Sequence, residues 1–181
     1  MGALDGFYST WNKAKATFGV GVPTDGTQYD GSSQLLRMKA TIESAEPDDR
    51  WQGSGSEAYA AANKEHASVY QKLADLDKQL SAEVSYAADV VTSGRANLDD
   101  TKSWVDDLVR SLPPGNAQDR DSHLVSIARA GIAKVDHIVQ NANTEMSAIA
   151  ERVTGLKGDF DALRNQKFAS GTDSTDGTNG T

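Results

Sequence analysis

The chain has 181 residues, a formal net charge of −8 and no cysteine. Its length suits one domain, or one domain with a tail, and its acidic balance with no Lys/Arg run repels a polyphosphate backbone, so no nucleic-acid partner is expected. Without cysteine it has no disulfide framework, no thiolate nucleophile and no thiolate metal site.

Residues 1–22 lack the basic start, unbroken apolar core and small-residue cleavage site of a general secretory signal. No segment approaches the ~18 consecutive apolar residues that span a bilayer. Any export is therefore expected to follow a signal-peptide-independent route.

The first predicted helix carries Leu4, Phe7, Tyr8, Trp11, Ala14 and Phe18 at 3–4 spacing on one face and ends at Gly19. Gly19-Val20-Gly21-Val22-Pro23 and Asp25-Gly26 combine permissive glycines with a fixed proline, predicting an extended connector and a turn. From about Asp30 a second helix carries Leu35, Met38, Ile42 and Ala45, and Glu46-Pro47 stops it. Ser54-x-x-Glu57 has the form of a capping box at the start of a third helix.

The apolar stripe of that third helix runs from Ala62 and His66 through Leu73, Leu76, Leu80, Leu98 and Val105 to Leu112, with Gly94 as its one weak place. Pro113-Pro114-Gly115-Asn116 ends it. The last helix continues the same repeat from Leu124 through Val135, Ile149 and Leu156 to Leu163. Beyond Phe168 the chain has no apolar residue after Ala169, so burial cannot offset the entropy of ordering it.

The predicted fold is all-α: an elongated antiparallel helical bundle with two long helices, about 54–112 and 117–167, and two shorter N-terminal helices. Residues 1–168 form the domain, and 169–181 a disordered polar tail or linker. The short helices can cover only part of the long pair. The uncovered apolar surface is expected toward Pro113–Asn116, because the Trp51–Gly53 turn ties the short helices to the opposite end.

Catalytic and metal chemistry find little support. The histidines are His66, His123 and His137, none spaced four apart on a helix, so no metal site is assigned. His66 falls on the apolar stripe and is expected to be packed or to face a partner. Asp121, Ser122 and His123 are consecutive and point in different directions, which rules against a Ser-His-Asp triad. Gly19-x-Gly21 lacks the third glycine, preceding strand and lysine of a phosphate cradle. The pairs Asp99-Asp100 and Asp106-Asp107 are expected on the solvated side. No catalytic residue, cofactor or small-molecule substrate is assigned, and the protein is not expected to be an enzyme.

Trp51-Gln52-Gly53 differs from these. A large amphipathic indole sits in a turn between helices, and the glycine two positions later permits tight reversal and close approach. Either the indole closes the end of the bundle or it stands exposed as a hot spot for a partner.

Trp51-Gln52-Gly53 in the bend of a helical hairpin resembles the Trp-x-Gly families of type VII secretion substrates. Ala3-Leu4-Asp5-Gly6-Phe7-Tyr8, Gly19-Val20-Gly21-Val22-Pro23 and Leu73-Ala74-Asp75-Leu76-Asp77-Lys78-Gln79-Leu80 more narrowly resemble the N-terminal region of the EspA/EspE family, over about the first 95 residues. The resemblance implies a folded ESX substrate, present in the cytoplasm before export and secreted or surface-associated afterwards, with roles in virulence or in secretion itself. It also implies a helical partner, together with the secretion machinery or a chaperone.

Two features depart from the pattern. The general export signal, Tyr-x-x-x-Asp/Glu, puts tyrosine and acid one turn apart on a helix face. Here Tyr86 is followed by Asp89 at three and Val90 at four, so the signal is expected on the partner. The chain also continues into an amphipathic helix and a polar tail, where EspA-like proteins continue into apolar segments, which argues against membrane insertion.

The leading functional expectation is a protein-interaction module, with Trp51, Gly53, Tyr86 and Asp89 as candidate partner or secretion-recognition residues. The exposed stripe would dock a helical chain or a second copy. The alternative is the N-terminal delivery domain of a polymorphic toxin, whose effector domain would follow Thr181.

Overall fold

The 3–4 spacing of apolar residues becomes four α-helices and one 3-10 turn over residues 2–169, which the computed structural model describes. They are α1 (Asp5–Phe18), the 3-10 turn Gly26–Tyr29, α2 (Ser32–Ser44), α3 (Ser54–Arg110) and α4 (Ala117–Ala169). The predicted tail begins within α4 at Ala169, and its remainder lies outside the described residues.

Local chemistry explains most boundaries. Gly19, at φ 70°, ends α1 in a conformation that side-chain-bearing residues rarely adopt. Asp30 accepts the Ser32 amide at 2.9 Å ahead of α2, and hydrogen bonds from Ser32 hold its carboxyl below the usual carboxylate range. At α4, Asn116 Oδ1 accepts the Asp119 amide at 2.8 Å, while Asn116 Nδ2 donates to Asp119 Oδ2 at 2.7 Å.

The start of α3 departs from expectation. Ser54 already lies inside the helix, and the Gly53 carbonyl accepts the first intrahelical bond from the Glu57 amide at 3.1 Å. Gly53 therefore occupies the position that a capping-box serine needs. Ser56 Oγ, donating to the Gly53 carbonyl at 2.9 Å, supports the first turn instead.

The long helices pack antiparallel, joined by the Pro-Pro-Gly-Asn connection, and form a helical bundle with α1 and α2. The chain divides into two compact units, each drawing on both long helices. One joins the described residues up to Thr24 to Ser85–Ala150; the other joins Asp25–Val84 to the described residues from Glu151 onward.

In the first unit, Phe7 and Ala14 of α1 enter a core with Leu98, Val105, Ala128 and Val135. Phe7 is fully buried, which contributes about 1.5–3 kcal/mol. Two glycines make this fit possible. A Cβ on Gly94 would lie 2.1 Å from the Phe18 ring, and one on Gly131 would lie 2.6 Å from Phe7. Gly94 is thus a seat for an aromatic ring as well as a weak point of helix propensity.

Polar bonds then fix α1 in place. Trp11 Nε1 donates to the Leu98 carbonyl at 2.7 Å, and Arg95 Nη2 donates to the Phe18 carbonyl at 2.9 Å. The surface expected to be bare near Pro113–Asn116 is therefore covered: Leu4 and Tyr8 join Val109 and Ile127 around this core. The connection 19–31, which contains the 3-10 turn, separates α1 from α2 along the chain, so the Trp51 bend does not fix where α1 packs.

In the second unit, Leu76, Leu156 and Leu163 form a smaller core flanked by Leu73, Leu80 and Phe160. A different stripe of α3 carries α2. Ser81 Oγ donates to the Gly26 carbonyl at 2.8 Å, Asp77 accepts the Gly31 amide at 3.1 Å, and Asn63 Nδ2 donates to the Ala45 carbonyl at 3.3 Å. Ala67 and Ala74 are buried on that stripe, whereas His66, one position away, is exposed. Ala62 is exposed too. The apolar stripe predicted for this stretch begins one residue off because the buried face is built from small and polar residues.

Candidate functional site

The bend between α2 and α3 is built from short-range bonds. After Pro47, Asp48 Oδ1 accepts the Arg50 amide at 3.0 Å and the Asp48 carbonyl accepts the Trp51 amide at 3.0 Å. Gln52 Nε2 donates to the Asp49 carbonyl at 3.2 Å. Gly53 closes the bend at φ 115°, where any side chain would be strained.

These bonds leave the Trp51 indole 48% exposed. Its ring centroid lies 5.3 Å from that of Tyr59, with the planes tilted by 48°. An open cleft beside it is lined by Glu46, Asp48, Asp49 and Glu57 with Lys64. Such a surface can bind a partner through an aromatic anchor, and it places no nucleophile or general base beside an enclosed pocket.

Tyr86 and Asp89 belong to the other unit, so the four candidate residues divide into two pairs. Tyr86 is 42% exposed and donates from its hydroxyl to Glu145 Oε2 of α4 at 3.2 Å. Asp89 is exposed one turn away and lines the same open groove.

The polar groups weighed from sequence are dispersed. Ser122 Oγ donates to the Gln118 carbonyl at 3.0 Å, and His123 Nδ1 lies 2.8 Å from the Asp119 carbonyl oxygen, so the two side chains serve their own helix. His137 Nδ1 lies 3.4 Å from Asn141 Nδ2. Among the described residues, no three of His, Asp and Glu gather as a metal ion requires, and no helix is long and apolar enough to cross a membrane.

One acidic pair sits differently from expectation. Asp107 faces solvent with Arg110, but Asp106 is half-buried beneath α1. It accepts the Tyr8 hydroxyl at 2.6 Å and Lys102 Nζ at 2.7 Å. Hydrogen bonds from Lys102 and Tyr8 hold the Asp106 carboxyl below the usual carboxylate range, and the bond to Asp106 pushes the Tyr8 phenol up to about 12.

Sequence reasoning also missed Trp104, which carries the Lys134 ammonium 4.8 Å above its ring centroid. Its only sequence signal is an indole beside the apolar stripe of α3. Arg95, which ties down the connector after α1, gives no signal at all.

Residues 18–100 match the model of the EspA/EspE family. This span contains Trp51, Gly53, Tyr86 and Asp89, together with the segments Gly19–Pro23 and Leu73–Leu80; the Ala3–Tyr8 segment lies outside it. The chain is 30% identical over 107 residues to the ESX-1 secretion-associated protein EspA of Mycobacterium tuberculosis, covering 59% of this chain and 26% of that protein. It is 25% identical over 153 residues to the ESX-1 secretion-associated protein EspE of Mycolicibacterium smegmatis, covering 84% of this chain and 26% of that protein. The chain thus spans about a quarter of the length of these curated relatives. No solved structure matches it.

Proposed function

We propose that this chain is exported as a type VII (ESX) secretion substrate and acts as a helical protein-interaction module. In this role the Trp51–Gly53 turn is the element that its partner recognises. The observation that carries the proposal is the half-exposed Trp51 indole, held in a glycine-closed bend inside the segment that matches the EspA/EspE family model. The names of the relatives, ESX-1 secretion-associated proteins, support the export route.

The partner is a helical protein that supplies the Tyr-x-x-x-Asp/Glu signal, because Tyr86 has its acid at three residues instead of four. The role is one of binding, with no catalytic step or cofactor. An aromatic anchor serves it well, since indoles dominate the energy of many interfaces through a small contact.

Comparing culture filtrate with cell pellet, in strains with and without the export ATPase, tests the route. The protein is expected in the filtrate only when the ATPase is present. Trp51→Ala is expected to abolish export while changing unfolding free energy by less than about 1 kcal/mol, because the indole is half-exposed. Should Trp51→Ala unfold the protein while export persists, the indole serves the fold and the recognition role is lost.

A further inference from the structure

α1 covers one side of the α3–α4 pair in its unit. The other side is an open groove, and no residue of α1 lines it. Two adjoining depressions share Asn97, His137 and Ile138, so the groove is continuous from Tyr86 to Trp104 along α3. That advance corresponds to ~27 Å, the length of a helix of ~18 residues.

The floor mixes apolar and small residues: Val90, Thr101, Trp104, Ile138 and Ala142. Trp104 packs against the core and also faces the groove, which suits an aromatic anchor at its far end. Charge along the rim is uneven. Asp89 and Glu145 stand at the Tyr86 end with Asp100 further along, whereas the cation of the far end, Lys134, lies over Trp104.

We propose that this groove seats one amphipathic helix of a separate protein, with its apolar stripe on Trp104 and Ile138 and its basic residues at the Tyr86 end. Charge selects this occupant over a second copy. The acidic rim repels a chain of net charge −8 and attracts Lys or Arg beside Asp89 and Glu145. The site belongs to the α1 unit and the Trp51 turn to the other, and the proposal does not depend on export.

The test uses the purified full chain and two synthetic amphipathic helices of ~18 residues. They are identical except that one carries arginines, and the other glutamates, in one terminal turn. By titration calorimetry the arginine peptide is expected to bind at least about tenfold tighter than the glutamate peptide. Asp89→Lys with Glu145→Lys should invert that preference, and Asn97→Trp, which fills the groove from an exposed position, should abolish binding of both. Circular dichroism of each variant confirms that it is folded. Equal affinity for the two peptides, binding unaffected by Asn97→Trp, or no binding of either peptide overturns the proposal. So does a dimer in sedimentation that Asn97→Trp dissociates, since the occupant would then be a second copy.

Discussion

In the unit around α1, Phe7 and Ala14 enter a core with Leu98, Val105, Ala128 and Val135, whereas in the unit around α2 the buried residue supplied by the short helix is Ser32. The aliphatic side chains of α2 remain half-covered or exposed, and Met38 is 51% exposed. Polar bonds hold α2 instead, through Asn63, Asp77 and Ser81 of α3 and through Lys39 donating to Gln71. Each such bond contributes about 0.5–1.5 kcal/mol net, while burying one phenylalanine contributes about 1.5–3 kcal/mol. α1 adds that burial to polar bonds of its own through Tyr8, Trp11 and the Phe18 carbonyl, so two helices of similar length are attached with different strength. The α2 unit, which also carries Trp51 and Tyr59, is expected to open locally at a lower free energy than the α1 unit.

Truncation offers the strongest way to break this comparison. Phe7→Ala is expected to cost about 3–5 kcal/mol in chemical denaturation, because its site is fully enclosed. Leu35→Ala, at a half-buried position of α2, should cost about 1 kcal/mol. Equal losses would mean that α2 is held as firmly as α1.

Glycine replacement sharpens the contrast with a change of sign. Alanine is favoured over glycine inside a helix by about 1 kcal/mol. Gly155 of α4 has open space around it, so Gly155→Ala should raise stability by up to that amount. Gly94→Ala and Gly131→Ala drive a methyl into Phe18 and Phe7, and overpacking of this kind costs about 1–3 kcal/mol. A gain at all three positions would show that the aromatic rings of α1 are not seated against those glycines.

A further expected effect is a pH dependence of the α1 unit, set by Tyr8 and Asp106. Tyr8 has its phenol raised from 10.0 to about 12 by Asp106, so the folded state favours the protonated form. Its contribution is complete below pH 10.0 and is lost as pH rises through about 12. The Asp106 carboxyl is lowered, so its contribution is present above the ordinary carboxylate range and is lost as pH falls through its lowered value. In absorbance titration one phenol should ionise near pH 12, and it should disappear in Tyr8→Phe. Its persistence in that variant would detach Tyr8 from the alkaline step.

The chain order of helices was legible because helix formation and termination are local. The 3–4 spacing of Leu4, Phe7, Trp11, Ala14 and Phe18 implies a buried face, and Gly19 ends that helix. Pro113-Pro114-Gly115 forces two long amphipathic segments into an antiparallel pair. The Trp51 bend was likewise legible, since Pro47, Asp48 and Gly53 carry turn chemistry within a few residues.

Tertiary structure decided which face meets which neighbour. Ala67, Ala74 and Ser81 are too small or polar to register as a stripe, yet they carry α2 because Ser81 finds the Gly26 carbonyl across 55 positions of sequence. Gly94 and Gly131 are ordinary weak places in a helix until Phe18 and Phe7 are brought against them. The placement of α1 near the end of α3 and the half-burial of Asp106 are settled by contacts between residues distant in sequence. Periodicity shows that a residue lies on a helical face, and only long-range packing selects the partner for that face.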